Sequence, residues 1–306
     1  MTTDSGAGNL LAVHSLDQFE LAVPDIVLAE RFYSTFGLDV QRSDDCLLMG
    51  AHGGHPLFRL RHGDRKKLLS LRFGIHEADW ERFAAHLDHQ GLQVNRSTAG
   101  GWPALQLRDP DGTLIELVVA PKTSPSIASD PRAVPRTMAP SRSQAPAVRP
   151  RRFSHVLLFT ADVAVAVDFY SRVFGLRLSD RSGDDIAFMH TPHGSDHHLV
   201  AFVKSDGPGM HHSSWDVASI DEVGLGASQL AAQGFSEGWG LGRHVLGSNY
   251  FYYAEDPWGG YIEYSFDMDF VAAGTSWPAA DHDGEDAFYV WGPPPPPGFA
   301  TNTELG

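Results

Sequence analysis

HVLLFTADVAVAVDFYSRVFGLRL, His155 to Leu178, has a counterpart earlier in the chain: QFELAVPDIVLAERFYSTFGLDV, Gln18 to Val40, one residue shorter. Each copy opens on an apolar run of strand character. It then places apolar residues three and four apart, as in Val163, Val167, Phe169, Tyr170 and Val173, and closes on a second apolar run. Asp25 and Asp162 stand where a helix N-cap belongs, and Gly37 and Gly175 where the helix should stop. The ends of the two halves repeat as well. RDPDGTLIELVV, from Arg108, parallels EDPWGGYIEYSF, from Glu255, each an Asp-Pro-x-Gly turn followed by a strand with Glu at the same offset, Glu116 and Glu263. HSSWDVASIDEVGLGASQLAAQGF, from His212, again reads as strand then helix, with Ser219 and Glu222 as a capping box. This periodicity predicts an α+β chain of four strand-helix-strand-strand-strand modules, two in each half.

The boundaries follow from composition. Residues 1–122 form a first domain, and residues 123–150, rich in Pro, Ser, Ala and Arg with few large apolar residues, form a linker. Its arginines, Arg132, Arg136, Arg142 and Arg149, are expected to lie against the protein's own acidic surface. Residues 151–270 form a second domain and 271–306 a tail ending in WGPPPPPGFATNTELG, whose five prolines favour a stiff extended strut. A length of 306 residues with 42% hydrophobic content supports two cores. The net charge of −15 argues against a nucleic-acid or anionic-membrane partner, because phosphate contact needs the opposite sign. One cysteine, Cys46, allows no intrachain disulfide, and no leader-like start or membrane-length apolar run is present. These features predict a soluble cytoplasmic protein acting on small molecules.

The halves differ where polar residues fall on matched strands. His155 stands opposite Gln18 in the repeat, and His212 opposite Ser70, while Glu263 repeats Glu116. With 16 histidines in the chain, one His on an apolar strand is by itself a core or edge residue. Two imidazoles and a carboxylate at matched inward positions of three strands are another matter. They form the set that holds non-haem Fe(II) on one face, and such mixed N and O donors also suit Mn(II), Co(II) or Zn(II). A cation would also account for Glu263 among Tyr261, Ile262, Tyr264 and Phe266, where an isolated carboxylate would be costly.

With FSHVLLF, HHLVAF, GMHHSSWDV and GRHVLGSNYFYYAEDPWGGYIEY added to the repeat, the chain resembles the type I extradiol ring-cleavage dioxygenases of the vicinal oxygen chelate superfamily. The resemblance implies two domains of paired βαβββ modules with a glyoxalase-like fold, and Fe(II), or Mn(II), in the second domain only. It implies a catecholic substrate, O2 as co-substrate and a homo-oligomer. Its metal ligands fall on His155, His212 and Glu263; His211 is the neighbouring alternative, and His212 is preferred because it shares a strand face with Ser214. The same resemblance assigns acid-base transfer to His197, fifteen residues before His212, and substrate contacts to His244 and Tyr253, the latter chosen over Tyr250 and Tyr252 on its spacing from Asp256. Two alternatives are a non-redox metal-dependent isomerase or transferase of the glyoxalase type, favoured by Gln18 and Glu116, and a non-catalytic binding protein of the bleomycin-resistance kind.

Overall fold

The computed structural model describes residues 10–43, 45–99, 101–129 and 139–305, so the linker arginines Arg132 and Arg136 lie outside the described residues. The first half runs β1 (Ser15–Val23), α1 (Ile26–Phe36), β2 (Asp39–Ser43), β3 (Cys46–Gly50), β4 (Phe58–His62), β5 (Lys67–Ile75), α2 (Trp80–His89), β6 (Asn95–Ala99), β7 (Trp102–Arg108) and β8 (Leu114–Val119). The second repeats it as β9 (Arg152–Thr160), α3 (Val163–Phe174), β10 (Arg177–Ser182), β11 (Ile186–His190), a two-residue β12 (Ser195–Asp196), β13 (Val200–Lys204), β14 (Gly209–Asp216), α4 (Ile220–Ala231), β15 (Gly238–His244), β16 (Tyr250–Glu255) and β17 (Tyr261–Phe266). The tail adds β18 (Phe270–Val271), β19 (Ala280–Asp281), α5 (Gly284–Ala287) and β20 (Tyr289–Trp291).

The first sheet has the order β2-β3-β4-β1-β5-β8-β7-β6, and the second β19-β10-β11-β13-β9-β14-β17-β16-β15-β20. Within each, two modules meet at a central antiparallel pair, β1 with β5 and β9 with β14. This is the two-domain vicinal oxygen chelate fold. The tail is more than a strut, because β19 and β20 extend both edges of the second sheet. No helix among the described residues is long and apolar enough to cross a membrane.

The helix signals act as the sequence implies. Asp25 accepts from the backbone N–H of Leu28, and Asp162 from that of Val165. Gly37 and Gly175 close their helices in the left-handed region, at φ 102° and 71°. Each glycine also admits a neighbouring chain: a Cβ would come within 2.2 Å of the Val148 carbonyl oxygen at Gly37, and within 2.4 Å of that of Leu11 at Gly175. The end of the linker therefore docks on α1 with Val148 buried, and Arg149 donates to Asp39 at 3.0 Å.

One hydrophobic core spans both halves. Across their junction Phe36 stacks on Tyr264 with ring centroids 3.9 Å apart, and the Tyr264 hydroxyl donates to the Phe36 carbonyl at 2.6 Å. The repeated Asp-Pro-x-Gly turns are pinned by different partners. Asp256 takes the ammonium of Lys66 at 2.6 Å, whereas at the same place Asp109 takes the neutral hydroxyl of Tyr170, at 3.0 Å. Burial pushes the Asp109 carboxyl up to about 6. A folded-state value above the unfolded one means stability that is full below about pH 4 and lost as pH rises towards 6, at about 3 kcal/mol for two pH units. Asp109→Asn can still accept from the N–H groups of Asp111 and Thr113, so the variant is expected to flatten this part of the stability profile. Urea titrations at pH 4, 5 and 6 check it, and parallel profiles for both proteins would refute it.

Candidate metal centre

His155 on β9, His212 on β14 and Glu263 on β17 project from adjacent strands onto one point. Strand register brings this about: Ser214 pairs with His155 across the antiparallel seam and with Glu263 across the parallel one, so all three face the same side. The Nε2 atoms of the two imidazoles are 3.2 Å apart, and they lie 3.4 and 3.6 Å from Glu263 Oε2. All three side chains are buried, and a donor atom from each lies within 4.8 Å of the others. Glu263 Oε2 has no hydrogen-bond partner, although its twin Oε1 accepts from Asn249 at 3.0 Å. Two nitrogens and an orphaned carboxylate oxygen, buried and convergent, fit a divalent cation.

The surroundings set the tautomer of each imidazole. A carbonyl oxygen only accepts, so His211 Nε2, 2.8 Å from the Phe299 carbonyl, carries a proton. Its Nδ1 is then bare and accepts from His212 Nδ1 at 2.7 Å, leaving His212 Nε2 free for a metal. Ser154 Oγ donates to Asp196 at 2.7 Å and so accepts from His155 Nδ1 at 3.2 Å, which frees His155 Nε2 in the same way. Burial, reinforced by His211 and His155, holds His212 well below the usual imidazole value and hence neutral, as a ligand must be.

These residues stand at the wall of a cavity of about 370 Å³, lined mostly by apolar side chains including Leu157, Ile186, Phe188, Val203 and Leu246. Phe288 and Phe299 of the tail complete it. His244 and Tyr253 both face it, with His244 Nε2 2.9 Å from the Tyr253 hydroxyl. His244 Nδ1 donates to the Phe288 carbonyl at 2.9 Å, so Nε2 is bare and accepts the Tyr253 proton. Tyr250 reaches Arg243 instead.

His197 does not join them. Its ring turns away to Asp180, with Nε2 2.8 Å from Oδ2, and the cavity wall is formed by His198, whose ring centroid is 3.9 Å from that of His155. Both histidines lie in an irregular bend between β12 and β13, where spacing from His212 does not decide which side chain faces inward. Asn249 and the tail aromatics Phe288 and Phe299, which also line the cavity, carry no signal in a strand repeat. Only the aromatic content of an otherwise Pro-rich tail hinted at them.

In the first half the equivalent position is closed. Arg72, in register with Glu116 as Ser214 is with Glu263, donates from Nε to Glu116 Oε2 at 3.0 Å, while Gln106 donates to Oε1 at 2.8 Å. Gln18 turns to the Pro56 carbonyl. The glyoxalase-type reading loses the residues that favoured it: the acid is neutralised by a guanidinium.

The profile of the Glyoxalase/Bleomycin resistance protein/Dioxygenase superfamily matches residues 152–264. Metapyrocatechase 2 of Cupriavidus necator is 50% identical over 298 residues, covering 96% of this chain and 93% of that protein. The chain belongs to the type I extradiol ring-cleaving dioxygenases. Solved structures agree on the fold. A variant of homoprotocatechuate 2,3-dioxygenase from Brevibacterium fuscum superposes with a TM-score of 0.78 at 18% identity, over 97% of this chain and 83% of that one. A Mn(II)-bound glyoxalase from Novosphingobium aromaticivorans gives 0.76 at 24% identity, over 97% and 100%. The same fold thus carries proteins named for different chemistries, and the donor set with the sequence relationship identifies this one as an extradiol dioxygenase with a 2-His-1-carboxylate metal site.

Proposed function

We propose that this dioxygenase cleaves catechols with apolar ring substituents, using Fe(II) held by His155, His212 and Glu263. The observation that carries the reading is the convergence of those donors on an unpartnered carboxylate oxygen at the wall of an apolar cavity. Mn(II) suits the same atoms, and availability decides between the two. When bound, the metal supplies Lewis acidity that eases loss of the diol proton, and open positions for diol and dioxygen.

The chain's own residues do the rest. The Tyr253 oxygen, its proton directed to His244, accepts a hydrogen bond from a ring hydroxyl, and the bare Nε2 of His244 takes up the proton. Burial holds His244 below its ordinary value and Tyr253 well above its own, so His244 is the neutral base and Tyr253 the protonated partner. His198, in place of His197, moves the proton on the dioxygen side, a contribution of about 10²- to 10⁴-fold for a positioned acid-base group. No Lys or Arg lines the cavity among the described residues, and Asp185 does. An anionic substituent therefore meets no counter-charge, whereas an alkyl or aryl group buries apolar surface. Catalysis is assigned to residues 151–270, with 1–122 as its scaffold. The lone, buried Cys46 thiol favours a reducing cytoplasm, and family resemblance favours a homo-oligomer.

The test is anaerobic loading with Fe(II) or Mn(II), followed by catechol, alkyl- and aryl-catechols and carboxylated catechols, with oxygen uptake and the yellow ring-fission product as readouts. Apolar catechols should give the higher kcat/KM. No oxygen uptake with any of them would overturn the activity, and equal kcat/KM for carboxylated ones would overturn the substrate class.

A further inference from the structure

Asp180 on β10 is a hub of donors. Its Oδ2 accepts from His197 Nε2 at 2.8 Å and Trp277 Nε1 at 3.2 Å, and its Oδ1 from the Ala280 backbone N–H at 2.9 Å and His282 Nε2 at 2.9 Å. Burial would raise this carboxyl, but those hydrogen bonds outweigh it and hold it far below the usual carboxylate range. An ionised carboxylate only accepts, so the proton of His197 sits on Nε2. His197 is wholly buried between Phe188 and Trp277, and the charge of Asp180 is shared with three other donors, which favours a neutral imidazole with Nδ1 bare. That bare nitrogen lies 3.1 Å from His198 Nδ1, and outside a group of metal donors such as His155, His212 and Glu263 two lone pairs do not face each other at hydrogen-bond distance. The proton between them must belong to His198.

We propose that Asp180 is a positioning residue which, through His197, holds His198 as the Nδ1–H tautomer and so presents a bare Nε2, an acceptor and not a donor, to the cavity. The proposal rests on the reading of His198 as the proton-transfer residue. It gives His197 a role different from direct contact with the reacting oxygen. It also ties the tail to the chemistry, since Trp277, Ala280 and His282 hold the same carboxylate that orients His197. A cationic His197 would reverse the chain, donating from Nδ1 and driving the His198 proton to Nε2.

The experiment is long-range ¹H–¹⁵N correlation of the imidazole rings in the ¹⁵N-His-labelled full chain loaded with diamagnetic Zn(II), with His198 assigned by its loss in His198→Gln. The expected pattern is a protonated Nδ1 and a bare Nε2 at His198. Asp180→Ala should scramble that tautomer and lower kcat of the Fe(II) enzyme by about 10²-fold or more, with KM within about twofold, in line with the loss of a correctly protonated acid-base group. Should Asp180→Ala not fold, His197→Leu removes the same acceptor from His198 and leaves Asp180 its other three donors. A protonated Nε2 in the unmodified protein overturns the proposal, as does an unchanged tautomer and kcat in the variants. Absence of ring cleavage in a protein whose His198 shows the stated tautomer would overturn the functional reading and leave this one standing.

Discussion

Glu263→Gln is expected to reduce ring cleavage to background and, at the same time, to make the metal-free protein more stable than its parent. The two effects share one cause. Without a cation, Glu263 Oε2 is a buried charge with no partner, next to two imidazole nitrogens whose lone pairs also point inward. A glutamine keeps the acceptor used by Asn249 and turns an N–H₂ group towards the bare nitrogens of His155 and His212. Relieving one unsatisfied buried acceptor is worth about 1–3 kcal/mol, and more when it is charged. With metal the sign reverses, because an amide is a poor ligand and the binding energy that stabilises the native state is lost. Chelated and metal-loaded samples of both proteins, compared by denaturant unfolding, metal content and oxygen uptake, check this. Stoichiometric metal with full turnover in Glu263→Gln would sink the assignment of this carboxylate as a ligand.

The repeat is what makes so much of the fold legible in the sequence. Module number and the helix caps at Asp25 and Asp162 are legible because each signal is local and occurs twice, so each copy tests the other, whereas the donors stand out where the copies differ, His155 against Gln18 and His212 against Ser70. A strand's alternation also separates His212 from His211 without tertiary information. Where alternation fails, so does the reading. His197 and His198 sit in a bend, and only the fold shows that one turns to Asp180 and the other to the cavity. Arg72 carries no mark in the sequence that separates it from other charged strand residues, yet its guanidinium neutralises Glu116 from within the chain. The tail's contribution was hidden because the pairing of β19 and β20 is set by partners more than 40 residues away.

Lys66→Met is expected to destabilise the protein by about 3–5 kcal/mol, the cost of leaving one member of a buried ion pair uncompensated. Lys66 and Asp256 are 5% and 4% exposed, and their contact at 2.6 Å joins the first half to the turn that leads into β17. Asp256 also accepts from the backbone N–H groups of Trp258 and Gly260, at 2.9 and 3.0 Å, so its charge cannot be relocated without opening the turn. The turn leaves no room for another arrangement: a Cβ on Gly260 would lie 1.5 Å from the Lys66 ammonium. Because β17 carries Glu263, strain at this turn reaches the metal site through the strand itself, and metal affinity should fall together with stability. Asp109 provides the internal control. It occupies the same place in the first half with a neutral Tyr170 partner and no metal ligand downstream, so Tyr170→Phe should lower stability without changing metal affinity. Denaturant unfolding and competitive metal titration of both variants separate the outcomes. A Lys66→Met protein as stable as its parent would show that the ion pair is neutral to folding, and unchanged metal affinity in a destabilised one would break the mechanical link to Glu263.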